Sequence, residues 1–248
     1  MSFSFGFNDQ TLVITGAAGG IGSETVRVFA AGGANVVLAD ISLERLEDTA
    51  RRLGLQEDKY LLVEYDASSR DSAESLVSQA VEKFGSIDHL VPCAGIYRDR
   101  LVEDMTPEEW NETLRINLDG VYWVTRAAIP HLSPGASIVN VSSVSAYRGS
   151  ALHAHYSAAK AGVLGLARSL VLELGARKIR VNSVSPGIID TPMTQGLLKR
   201  RGEELIAMTP LGRNGKPEET ASVIAFLSSS AASFVNGENI HINGGQYF

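Results

Sequence analysis

The chain has 248 residues, 44% hydrophobic and 20% charged, with a net charge of −6, which suits one large domain with a substantial core. No basic stripe marks a nucleic-acid partner, and no apolar run approaches the roughly 18 residues of a membrane span. The single cysteine, Cys93, excludes an internal disulfide framework and fits a reducing, cytoplasmic setting.

Residues 1–10 carry no positive charge and no apolar segment of leader length, so no leader is expected there. Residues 11–15 read as a strand, 20–31 as a helix, 35–39 as a strand. An amphipathic helix follows, with Leu43, Leu46, Ala50 and Leu53 on one face. A strand at 60–65, a helix at 71–84 and a strand at 89–93 continue the alternation. Thr106-Pro107-Glu108-Glu109 supplies a cap, an N1 proline and a capping-box glutamate for a long helix over 107–132. A strand at 137–141, a helix at 153–174, a strand at 180–184, a helix opened by Pro217 and a strand at 239–242 complete the chain. Strands alternating with helices predict an α/β, Rossmann-type doubly wound parallel sheet of about seven strands in a single domain, 1–248. The irregular stretch near 188–215 carries Met193, Leu197, Leu198 and Met208 and is expected to form a short helical lid.

The first strand runs into Thr15-Gly16-Ala17-Ala18-Gly19-Gly20-Ile21-Gly22. Glycines let backbone approach a pyrophosphate, and the helix start that follows offers free N–H groups. Asp40, at the end of the second strand, can accept from both ribose hydroxyls of an adenosine and repels a 2′-phosphate. No Arg or Lys stands at 17, 18, 39 or 41, so the cofactor expected is NAD rather than NADP. Asp66 could face the adenine edge.

Tyr156-Ser157-Ala158-Ala159-Lys160 spaces a phenol and an ammonium four apart, on one helix face. At ~4 Å and an effective dielectric of ~20 their attraction is roughly 4 kcal/mol, which would lower the phenol toward the range of a general acid–base. Ser143, thirteen positions upstream, would add a hydroxyl donor; Ser142 is its rival, pointing to the other side of the strand. His153 and His155 read as helix N-terminal surface residues.

Thr15-Gly16-x-x-x-Gly20-x-Gly22, Asp66, Ala94-Gly95, Asn117, Ser143, Tyr156-x-x-x-Lys160 and Pro186-Gly187 with Thr191 occur in the order of the short-chain dehydrogenase/reductase family, which the chain resembles from about Thr11 to Gly245. The resemblance implies that Tyr156 moves the substrate proton, Ser143 polarises the substrate oxygen, Lys160 holds the nicotinamide ribose, and Asn117 holds a water in a proton relay. It implies cofactor contacts from Gly16, Gly20, Ile21, Gly22, Asp40, Asp66, Ala67, Ala94, Gly95, Tyr156, Lys160, Pro186, Gly187, Ile189 and Thr191. The family often has Asn-Asn-Ala-Gly where this chain has Pro92-Cys93-Ala94-Gly95, which puts local hydrogen bonding in doubt.

The activity implied is hydride transfer between NAD(H) and a secondary alcohol or ketone, with substrate walls from Ser143, Ser145, Tyr147, Ile96 and Met193. No metal and no cation aimed at a substrate carboxylate are expected. The alternatives are a 3-oxoacyl carrier-protein reductase and a non-catalytic NAD-binding sensor. The family resemblance also implies a homotetramer built on the helices at 107–132 and 153–174, with Val163, Leu166, Leu170 and Leu174 available to the interface. Tyr247-Phe248 is an aromatic tail that packs on its own chain or reaches a neighbouring subunit.

Overall fold

Seven apolar, β-branched runs line up in one parallel sheet. The computed structural model describes residues 5–248; the reading of residues 1–10 falls partly outside that range. The strands are β1 (Thr11–Thr15), β2 (Asn35–Asp40), β3 (Tyr60–Glu64), β4 (Ile87–Pro92), β5 (Leu132–Val141), β6 (Arg180–Pro186) and β7 (Asn239–Ile242). The helices are α1 (Gly20–Ala31), α2 (Leu43–Leu53), α3 (Arg70–Phe84), α4 (Pro107–Leu114), α5 (Gly120–Ala128), α6 (Ser145–Arg148), α7 (Ala154–Leu174), α8 (Gln195–Ala207) and α9 (Pro217–Ser228).

The strand order is β3-β2-β1-β4-β5-β6-β7. The chain winds outward in one direction from β1 and in the other from β4. The loops leaving these two neighbours therefore part, opening a crevice at the carboxyl ends of the strands. Alternate strand residues feed two cores. Val13, Val37, Leu90 and Ile138 pack with Leu76 of α3, Val124 of α5 and Leu170 of α7. Leu12, Ile14, Val36 and Val139 pack with Phe29 of α1, Leu46 of α2 and Ile224 of α9. Burial on both faces explains why the strands read as continuous apolar runs rather than as alternating ones.

The expected helix over 107–132 is interrupted. Thr106 Oγ1 accepts from the Glu109 N–H and Glu109 accepts from the Thr106 N–H, so the capping box starts α4 as read. A π turn at Arg115–Asp119 then separates α4 from α5. Helical geometry ends in a short 3-10 turn at Ile129–His131, around Pro130, which has no N–H to continue the ladder. β5 begins at Leu132, earlier than expected, and pairs with Ile87 across an irregularity between Ile87 and His89. Val163, Leu170 and Leu174, expected at a subunit interface, are buried within their own chain and Leu166 is partly buried; Leu172 is the large apolar side chain of α7 that faces outward. Tyr247 packs on Tyr147 and His241 of its own chain, at ring-centroid distances of 5.1 and 5.0 Å, while Phe248 is exposed.

Candidate active site

The site lies where β1, β4, β5 and β6 end. At the end of β1, Gly16 takes a positive φ of 68°, and a Cβ there would stand 2.8 Å from the Ala94 backbone. A Cβ on Gly20 would stand 2.7 Å from Thr191 Cγ2, and one on Gly22 2.1 Å from the Gly16 carbonyl oxygen. The loop is thus closed onto both β4 and the segment after β6. Gly19 caps α1 without a side-chain hydrogen bond, and no acidic residue lies in its first turn. Such a helix start suits a pyrophosphate. Gly16→Ala should cost about 2 kcal/mol, from φ strain and the Ala94 clash, and lower Tm by roughly 4–8 °C in a thermal melt.

Asp40 ends β2 almost fully buried, and its Oδ2 accepts from the Ala18 N–H at 3.1 Å. Sequence reasoning missed its neighbour. Arg45, on the first turn of α2, brings a guanidinium nitrogen to 3.9 Å from Asp40 Oδ1 and donates to the Ala18 carbonyl at 3.0 Å. Asp66 is exposed and turns one carboxylate oxygen onto the N–H and hydroxyl of Ser68, at 2.8 and 2.7 Å. Ala67 packs its carbonyl against Gly120, where a Cβ would come within 2.4 Å. Ile21 lies in the first turn of α1.

Pro92 ends a central strand, and the N–H groups after it need partners. Thr15 Oγ1 accepts from both the Cys93 and Ala94 N–H groups at 3.1 Å. Register pairs Leu90 with Ile138, so Asn140 comes level with Pro92. Asn140 is wholly buried and neither of its amide atoms finds a protein partner.

Asn117 sits in the π turn, a conformation that recurs at functional sites. Its amide donates to the carbonyls of Ile96 and Thr113 and accepts from the Ile96 N–H. Gly95 lies directly over this amide: a Cβ there would meet Asn117 Oδ1 at 2.6 Å and come 3.8 Å from Lys160 Nζ. The two serines separate cleanly. Ser142 turns to α7 and donates to the Lys160 carbonyl at 2.9 Å. Ser143 faces the cavity, accepts from the Ser145 N–H at 3.1 Å and lines that cavity together with Tyr156.

Lys160 is buried and donates to the Val141 carbonyl at 2.9 Å, with Nζ 5.7 Å from the Tyr156 ring centroid. Burial lowers its ammonium to about 8. Burial also raises the Tyr156 phenol well above its usual range, opposed by the neighbouring Ser143 hydroxyl. The sequence argument expected Lys160 to lower the phenol. Here desolvation dominates, because the ammonium is directed at the strand carbonyl instead.

The structure gathers Ser143, Ser145, Tyr156, Gly187 and Met193 around a cavity of about 240 Å³. Ile96 and Tyr147, expected in its wall, do not line it. Ile96 is held by Asn117, and Tyr147 stands edge-on to His241 at a centroid distance of 4.7 Å. Pro186 ends β6 against Ile242, and Ile189 is buried, bridging to Gly215. Thr191 is buried beside Gly20.

His153 and His155 are buried, contrary to the surface reading. His153 stacks on Tyr97 at 3.8 Å and reaches Asp99 through Nε2 at 2.9 Å; Tyr97 in turn stands edge-on to Tyr156 at 4.8 Å. Tyr97, Arg148 and Arg201 also line the cavity, and none was anticipated. Tyr97 lies one residue past the predicted Ile96, a signal within reach. The arginines lie on a four-residue helix and at a break in α8, which no periodicity marks.

Known proteins resemble this chain over nearly its whole length. A family model described as enoyl-(acyl carrier protein) reductase matches residues 16–246. A 3-oxoacyl-acyl-carrier-protein reductase of Thermotoga maritima is 44% identical over 95% of this chain and 97% of its own. A trans-4-hydroxycyclohexanecarboxylate dehydrogenase of Sinomonas cyclohexanicum is 40% identical over 96% and 93%. The crystal structure of a short-chain dehydrogenase/reductase described as glucose/ribitol dehydrogenase, from Brucella melitensis, superimposes with a TM-score of 0.96 at 49% identity, covering 99% of this chain and all of the other. The chain therefore belongs to the short-chain dehydrogenase/reductase family, oxidoreductases that use a nicotinamide cofactor on CH–OH groups.

Proposed function

We propose that this protein moves a hydride between NAD(H) and a compact secondary alcohol or ketone, with Tyr156 as the acid–base. The observation that carries the reading is that Tyr156 and Ser143 line one cavity, with buried Lys160 placing its Nζ 5.7 Å from the Tyr156 ring centroid. The nicotinamide, when bound, supplies or accepts the hydride; the protein's share is to position the alcohol and handle its proton. In oxidation Tyr156 takes the hydroxyl proton while Ser143 steadies the charge on oxygen. Lys160 would hold the nicotinamide ribose, and Asn117 the water of the relay. Asp40, buried and held by Ala18, supports NAD as the cofactor. Residues 188–215 act as a lid: their ends are pinned where Ile189 bridges to Gly215, and Leu197, Leu205 and Met208 face the cavity.

A panel of secondary alcohols with NAD, read by formation of reduced nicotinamide, tests the reading; no reduction with any of them would sink it. The two serines sharpen the test. Ser143→Ala should lower kcat about 10²-fold, as for loss of one donor to a developing oxyanion. Ser142→Ala should act chiefly on stability, by about 1 kcal/mol, because its hydroxyl ties α7 to β5. Equal losses of kcat in both would contradict the assignment of Ser143.

A carrier-protein reductase is the second reading. It is favoured by the Thermotoga relative and by the exposed Arg148 and Arg201 at the cavity, which could meet an acidic carrier. Activity on acetoacetyl thioesters alone would select it. We also propose a homotetramer through the faces of α5 and α7, supported by outward Tyr122 and Leu172, with light scattering on the eluted protein as its check.

A further inference from the structure

We propose that the cavity is an anion subsite: Arg148 and Arg201 clamp a carboxylate carried by the alcohol or ketone substrate. The inference rests on the secondary-alcohol reading and adds the class of alcohol. The two guanidiniums come from separate elements, one from the last residue of α6 and one from α8, yet both line the same cavity. Both lie near enough to Tyr97 for their charge to oppose the upward push that burial gives its phenol. Tyr97 stands edge-on to Tyr156, and it lines the cavity with both arginines, so the two cations share a cavity wall with the ring that adjoins the reacting phenol.

Charge in the cavity is the reverse of charge on the whole chain. The protein carries −6, but no carboxylate lines this cavity, while two arginines do. Neighbouring charges are already answered: Asp99 pairs with both His153 and Arg200. Arg148 forms no ion pair among the described residues. Arg201 departs from helical geometry within α8, at φ −137° and ψ 20°. Its partner is Glu204, three residues on and half-exposed, which takes the Nε and Nη2 edge of the guanidinium; Nη1 makes no hydrogen bond among the described residues and is open to a substrate carboxylate. Guanidiniums present paired N–H groups that match a carboxylate, so two of them fix the direction of the anion as well as its charge. The remaining wall is largely neutral, with Ile188, Met193, Leu197 and Met208 available to an apolar body. A volume of about 240 Å³ accommodates a compact body, such as a single ring.

The test separates this subsite from the chemistry. Binding of cyclohexanecarboxylate and of cyclohexanecarboxamide is measured by calorimetry on the full chain with excess NAD. The carboxylate is expected to bind at least about tenfold tighter, a preference reduced in Arg148→Gln and in Arg201→Gln and lost in the double variant. Turnover should follow: KM for 4-hydroxycyclohexanecarboxylate rises about tenfold or more in each single variant, with a smaller change in kcat, and Arg148→Lys recovers part of the loss. Equal binding of the two probes, binding of neither, or a preference that survives the double variant overturns the proposal. Turnover confined to acetoacetyl phosphopantetheine, with the carboxylate unbound, overturns it in favour of a carrier-borne phosphate. A carboxylate preference without oxidation of any alcohol would sink the dehydrogenase reading and leave the anion subsite standing.

Discussion

Tyr156→Phe is expected to lower kcat by about 10²–10⁴-fold while the affinity for NAD changes less than about twofold. Only the hydroxyl is removed. The ring keeps its edge-on contact with Tyr97, and Ser143 still accepts from the Ser145 N–H, so no buried group is newly orphaned. The change in stability should stay within about 1 kcal/mol, a few degrees of Tm for a chain of this size. Such a split between turnover and cofactor binding is what a proton-transfer role demands, and a merely structural tyrosine would not produce it. Retention of more than about a few per cent of turnover would sink the role.

The pH dependence has a definite sign. Burial keeps the Tyr156 phenol neutral through the physiological range, and it holds the Lys160 ammonium at about 8. Reduction needs a phenol that can give its proton and benefits from a charged Lys160. It should therefore be fullest below pH 8 and decline as pH rises through that value. Oxidation needs the phenolate and should gain with rising pH as the phenol begins to ionise. A profile of kcat/KM in both directions checks this, and parallel profiles would contradict it.

The fold was legible because its signals are local. Period, caps and glycine turns fix β1, α1, β7 and the start of α4 to the residue. The doubly wound order follows from alternation plus right-handed crossovers. Where the reading slipped, the cause lies in tertiary pairing. Nothing local says that Leu132 pairs with Ile87, or that an extra residue is accommodated around Asn117 to give a π turn. The site divides in the same way. Tyr156 and Lys160 could be paired from spacing because both sit on one regular helix, α7, whereas Ser143 lies in the short loop between β5 and α6. Arg45, Arg148 and Arg201 could not. Arg45 acts on Ala18, far off in sequence, Arg148 ends a four-residue helix, and Arg201 stands where a helix breaks. The buried histidines mislead for a related reason. His153 is satisfied by Asp99 and by its stack on Tyr97, partners from the loop after β4 that its own sequence neighbourhood does not reveal.

Asp40→Ala is expected to turn the cofactor preference from NAD toward NADP, and Arg45 is the reason one substitution suffices. The carboxylate is nearly buried and held by the Ala18 N–H, and under the proposed NAD reading it would stand against a 2′-phosphate. Two like charges about 4 Å apart at an effective dielectric of ~20 repel by roughly 4 kcal/mol, close to a thousandfold in relative affinity. Removing the carboxylate abolishes that repulsion. It also leaves a guanidinium that was 3.9 Å from the lost group without its anion. Arg45 keeps its bond to the Ala18 carbonyl, so it stays at the rim of the adenosine site rather than swinging into solvent. The ratio of kcat/KM for NADP to that for NAD should rise by about 10²–10³-fold, part from lost repulsion and part from the new phosphate partner. Asp40→Ala combined with Arg45→Ala separates the two. The double variant keeps the relief of repulsion but lacks the cation, so its ratio should fall back by about tenfold from the single variant, and the residual NADP preference should weaken less steeply with added salt. Arg45→Ala alone leaves Asp40 unopposed and should make discrimination against NADP stricter. If Asp40→Ala lowers use of both cofactors equally, the carboxylate is a structural brace for the Ala18 turn and does not read the ribose.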